Sequence, residues 1–160
     1  MAWTDLTAYA AGRFTVAMAE LLRGNFKAIG DAWTTYTPTW TATTTNPTLG
    51  NGTISGRYIS AGKLAIISVS TVFGSTTTVG SGSYAWSTPG AISARDFHVI
   101  QGSAMLLDSS AGSLLPKVAW AVNGTSIAVS DLTPTRISHN SPVIWATGDR
   151  IDFQVIFEAS

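Results

Sequence analysis

Two patterns of apolar and polar residues divide the chain at Trp33. Before it, apolar residues recur with helical spacing; after it, they alternate with polar ones in short runs, as strands require. One helical seam runs Phe14, Met18, Leu21, Asn25, Ala28, and a second runs Leu22, Phe26, Ile29, Trp33. The polar positions left between them are chiefly Glu20, Arg23, Lys27 and Asp31. Thr15 is placed to cap a helix from about Val16 to Gly30, and residues 3–12 can form a turn or two stopped by Gly12. A short helix that is apolar on most sides is marginal alone and needs partners. We expect self-association through Phe14, Met18, Leu21, Leu22, Asn25, Phe26 and Ile29, with Asn25 as a polar residue that sets register. The plainer alternative is a helix packed on its own β region.

Beyond Trp33 the chain is punctuated by turn residues. Asn51-Gly52 and Asn123-Gly124 are hairpin signals, and Gly62, Gly74, Gly80, Gly82, Pro89-Gly90, Gly112 and Gly148 mark further breaks. The runs between them predict strands over Ile54–Ile59, Lys63–Phe73, Ser83–Ser87, His98–Leu107, Lys117–Val122, Ser126–Asp131 and Arg150–Glu158. In the last, Ile151, Phe153, Val155 and Phe157 face one side while Asp152, Gln154 and Glu158 face the other. Seven or eight antiparallel strands at this spacing predict a mainly β chain: a short N-terminal helical stalk and a jelly-roll-like β-sandwich head. Residues 1–33 form the oligomerisation and attachment segment in this reading, and residues 34–160 form the head.

Composition narrows the function. The 160 residues carry 9 basic and 9 acidic side chains, and charged residues make up only 11% of the chain, against a norm of about 25%. That leaves no electrostatic footprint for nucleic acid, and no apolar run is long enough for membrane insertion. With no cysteine, disulfides and thiolate metal sites are ruled out. The N-terminus lacks the basic start and cleavage site of a secretory signal. His98 and His139 stand alone, so we expect no metal and no cofactor. No Gly-x-Ser-x-Gly elbow occurs. Asp149 and Asp152 project to opposite sides of an ideal strand and read as a turn cap and a solvent-facing residue. We therefore expect no enzyme.

Several ordered blocks carry a resemblance. They are Trp33-Thr-Thr-Tyr-Thr-Pro-Thr-Trp-Thr41, then Asn46-Pro-Thr-Leu-Gly-Asn-Gly-Thr-Ile-Ser-Gly-Arg-Tyr58, then Phe73-Gly-Ser-Thr-Thr-Thr-Val-Gly-Ser-Gly-Ser-Tyr-Ala-Trp-Ser-Thr-Pro89. A closing block runs Ser141-Pro-Val-Ile-Trp-Ala-Thr-Gly-Asp-Arg-Ile-Asp-Phe153. Together with the preceding Leu21-Leu-Arg-Gly-Asn25 segment, they resemble the C-terminal head domain of bacteriophage minor tail and tail-fibre proteins, especially those of phages infecting actinobacteria. The resemblance implies a virion component at the tail tip or fibre, with the capsid surface as the alternative. It also implies a homotrimer whose N-terminal segment joins other virion proteins and whose exposed head meets a glycan or receptor of the host envelope. The chain departs from many such proteins in lacking a long shaft, and its first 20 residues match less well.

Loop placement names the residues that would touch such a receptor. The first group is His139, Asn140 and Ser141 with Trp145, whose ring is a platform for stacking. The second is Thr76, Thr77 and Thr78. The competing functions are a trimeric decoration protein of capsid or tail with no receptor role and, last, an envelope-degrading enzyme.

Overall fold

The computed structural model describes residues 16–30, 33–90, 92–96, 100–131 and 135–160. One helix, α1 (Val16–Gly30), precedes nine strands. They are β1 (Thr34–Tyr36), β2 (Trp40–Ala42), β3 (Thr53–Ala61), β4 (Leu64–Val72), β5 (Tyr84–Ser87), β6 (Ile100–Asp108), β7 (Ser113–Asn123), β8 (Ser126–Ser130) and β9 (Arg150–Glu158). All pair antiparallel in one sheet of order β1-β3-β4-β9-β6-β7-β8-β5-β2. The mainly β, antiparallel, sandwich-like head expected from the strand spacing is what forms, and its layers are the two halves of this one sheet.

Chain connectivity dictates that layering. The outermost strands of the order, β1 and β2, are consecutive in sequence and are separated only by Thr37, Pro38 and Thr39. The sheet must therefore curl until its two edges meet. The Thr39 amide donates to Ser87 Oγ at 2.9 Å and the Ser87 amide to the Thr39 carbonyl at 2.9 Å, extending the β2–β5 pairing to the corner, and across the seam the Tyr36 hydroxyl of β1 donates to the Ser87 carbonyl of β5 at 3.3 Å. Pro38 is buried at the corner, where the missing amide hydrogen breaks no ladder.

The curl brings β2 and β5 face to face with β4 and β9, and the core fills the space between. Alternate residues Ala65, Ile67, Val69 and Thr71 of β4 and Ile151, Phe153, Val155 and Phe157 of β9 point inward and are buried, the second set as the sequence predicts. Trp86 on β5 meets the Phe153 ring edge-on at 5.3 Å. Trp40 on β2 packs edge-on against Phe73 at 5.3 Å and against Tyr84 at 5.0 Å. Rings in this geometry bring large apolar area and favourable quadrupole contacts together.

Turn chemistry is borne out unevenly. Asn123-Gly124 joins β7 to β8 as a hairpin, with the Thr125 amide donating to Asn123 Oδ1 at 2.9 Å. Asn51-Gly52 is a turn but joins no hairpin: the Gly52 amide donates to the Leu49 carbonyl at 2.9 Å and the chain then enters β3, which pairs with β1 and β4. The Asn51 side chain instead bonds the segment 75–76, so its preference for turns serves a loop clasp.

The helix matches its predicted span and makes its main contact with β3. Leu21 and Leu22 are half-buried, while Phe26 is 68% exposed and Val16 80% exposed. Phe14 lies outside the described residues, as do His98 and the turn expected over residues 3–12. Among the described residues no helix is long and apolar enough to cross a membrane.

Candidate functional site

One segment, 74–83, connects the surroundings of the two predicted receptor loops. Segment 74–83 is bridged on one side to segment 45–48, through Thr45–Ser81 and Thr48–Thr78, and on the other to Ser138 through Ser83. The polar groups of these loops are largely engaged in holding them together. Thr76 Oγ1 accepts from the Asn51 amide at 2.8 Å, and its own amide donates to Asn51 Oδ1 at 2.9 Å. The Thr77 hydroxyl donates to the Leu49 carbonyl and accepts from the Gly74 amide. Thr78 Oγ1 lies 2.6 Å from Thr48 Oγ1. The three threonines clasp their loop to residues 48–51.

In the other group His139 Nδ1 accepts from the Gly82 amide at 3.1 Å, Ser141 bonds Ser138 through its backbone, and Asn140 stays exposed. Trp145 requires a correction. It is 7% exposed, stacks on Phe73 with centroids 4.9 Å apart and planes at 6°, and donates its indole Nε1–H to the Ser138 carbonyl at 2.7 Å. A tryptophan beside a polar loop is drawn inward when a backbone carbonyl satisfies its one donor, so this ring offers no exposed platform. Trp40 is likewise a core residue.

A second polar surface emerges from strand register on the outer face of the sheet. In one row Arg57, Ser68, Gln154 and Ser103 stand side by side across β3, β4, β9 and β6. In the next row Ser55, Ser70, Asp152 and Met105 do the same. An apolar row of Ile59, Ile66 and Ile156 bounds this band on one side. Two adjoining hollows of about 530 and 430 Å³ lie over it, and Arg57, Ser68 and Asp152 line both.

The band differs from the loops in what its side chains are doing. Among the described residues, the side chains of Ser55, Ser68, Ser70, Ser103 and Gln154 have no hydrogen-bond partner in the protein, although each lines a hollow. Asp152 Oδ2 pairs with Arg150 Nε at 2.6 Å, while its Oδ1 is covered and unpaired. The Arg57 guanidinium lies 5.0 Å from the centre of the half-buried Trp33 ring. A serine hydroxyl both donates and accepts, so this floor holds free capacity of both kinds on a rigid scaffold. The outward alternation of Ser68 with Ser70 and of Asp152 with Gln154 is visible in the sequence. What it lacks is the register that sets four distant strands abreast.

Asp149, read from sequence as a turn cap, is fully buried and serves as one. Its Oδ1 accepts from the Ser109 amide and hydroxyl, both at 2.9 Å, and its Oδ2 accepts from the Ala146 amide at 2.7 Å. Among the described residues no group of three His, Cys, Asp or Glu side chains is gathered as a metal site. Compared with known proteins, the chain matches no family model, no curated protein and no solved structure.

Proposed function

We propose that this chain is a bacteriophage virion protein, the head of a minor tail or tail-fibre protein, and that its head contacts a glycan or receptor of the host envelope. The observation that carries the binding role is the hydroxyl-lined band around Ser68 and Ser70, whose side-chain donors and acceptors have no partner among the described residues. Polar groups held free on strands rather than on mobile loops suit a ligand rich in hydroxyls. The virion assignment rests on the resemblance of the ordered sequence blocks. In this reading α1 joins three copies into a homotrimer and the segment before it docks on other virion proteins. Each head binds weakly, and several copies acting together supply avidity. The role requires no catalysis and no cofactor.

A second reading is a trimeric decoration protein of the capsid or tail with no receptor role. The outer apolar row favours it, since Ile156 is 51% exposed and neighbouring Leu64 49% exposed, as residues covered by a virion neighbour would be. The two readings separate in a cell-binding assay with the fluorescently labelled full chain. Saturable binding to host cells, competed by purified envelope glycan, is the result expected of host contact. No binding even by clustered chain supports decoration.

A further inference from the structure

Resting on the host-contact reading, we infer that the outer band takes a saccharide carrying an anionic group, and that Arg57 anchors that group. Charge is the first argument. Arg150 and Asp152 neutralise each other at 2.6 Å, and Lys117 at the far rim is paired with Asp131. Arg57 has no ion pair among the described residues. The floor therefore carries one uncompensated positive charge.

Geometry is the second argument. The guanidinium carbon sits over the Trp33 ring at 5.0 Å, and among the described residues its N–H groups have no hydrogen-bond partner. That planar fork matches the paired oxygens of a carboxylate or a phosphodiester. The contact with the Trp33 ring restrains the long side chain in advance, which lowers the entropy lost on binding.

The floor supplies the third argument. Ser68 stands beside Arg57 in the same row, and Ser70 lies two residues along the same strand. Neighbouring strands are about 4.8 Å apart, so these small hydroxyls form a grid on which a sugar ring can lie flat. Ser103 and Gln154 extend the grid across β9 and β6. One unpaired cation on this floor, among the described residues, does not suit a polyanion such as nucleic acid, whose binding scales with the number of phosphates neutralised. It suits a polymer of hydroxyls with a sparse negative charge.

The test is a titration of the full chain, followed by NMR, with three probes of matched length: an oligosaccharide bearing one uronate, the same oligosaccharide bearing one phosphodiester instead, and the neutral oligosaccharide. The expected result is that one anionic probe moves the amide signals of Ser68, Ser70 and Ser103 and binds more weakly as salt is raised. Arg57→Gln should weaken that binding about tenfold or more, the effect of losing one charge-assisted contact. Ser68→Asp, which puts a like charge on the floor, should weaken it as well, with circular dichroism confirming that both variants fold. The assignment is overturned if the neutral probe binds as well as the anionic ones and Arg57→Gln changes nothing, or if no probe moves the band. If the chain still binds host cells in that case, host contact stands and only the ligand class falls.

Discussion

The indole Nε1–H of Trp86 donates a hydrogen bond to Thr71 Oγ1 at 3.0 Å in the middle of the core, and both residues are fully buried. The bond crosses between the two halves of the sheet, from β5 to β4. A buried donor that loses its partner keeps the full cost of its desolvation. Thr71→Val conserves shape but removes the acceptor, so we predict a loss of about 1–3 kcal/mol. Urea denaturation should show a lower midpoint with an unchanged slope. An unchanged midpoint would mean that the indole finds another acceptor.

Asp149 gives a second prediction. Its carboxylate gathers three donors from two loops, while its carbonyl accepts from the Phe73 amide at 2.9 Å. Asp149→Asn keeps the size but turns one acceptor into a donor facing donors. The expected loss is about 1–3 kcal/mol, read by thermal or chemical denaturation. A smaller effect than that of an exposed control such as Asp96→Asn would contradict the capping role.

These cases show what was legible in the sequence. Period-two alternation identified the inward residues of β9 and placed most strands within a few residues, because burial on one face imposes that pattern directly. Asn123-Gly124 signals its hairpin because a hairpin is local. Closure of the sheet through Thr37-Pro38-Thr39 was not legible, because it depends on pairings between strands far apart in sequence. The outer band was hidden for the same reason: Arg57, Ser68, Gln154 and Ser103 become a row only once the register is known. Trp145 misled because its loop position is real but its ring turns inward to Phe73 and the Ser138 carbonyl.

The pH dependence follows from two sets of groups. Burial raises the pKa of Tyr36 and Tyr84 well above the ordinary tyrosine value of about 10. A raised folded value means the stability is fully present below the unfolded value and is lost as pH climbs past it. Alkaline unfolding should therefore begin above about pH 10, with phenolate absorbance from these two rings appearing together with unfolding. Phenolate forming at both rings while the fold stays intact would contradict this.

At the acid end, the Arg95 hydrogen bond, reinforced by Lys63, holds Glu158 below its ordinary range. Its contribution is present above the unfolded value and fades as pH falls through the lowered folded one. Arg95→Ala should shift the Glu158 titration back upward by NMR. No shift would mean that the pair does not persist in solution.

The helix tests the proposed assembly. Leu21→Asp places a charge on the apolar seam of α1, and a homotrimer held by that seam should become a monomer by light scattering. The head should stay folded, because its core lies within the sheet. An unchanged trimeric mass would defeat the bundle.

The most direct test of the proposed virion role is cryo-EM of a phage particle that carries this chain. We predict a threefold cluster of this chain at the tail tip or fibre end, with the Arg57 face open to the outside. Density confined to the capsid shell would contradict host contact and leave decoration as the function.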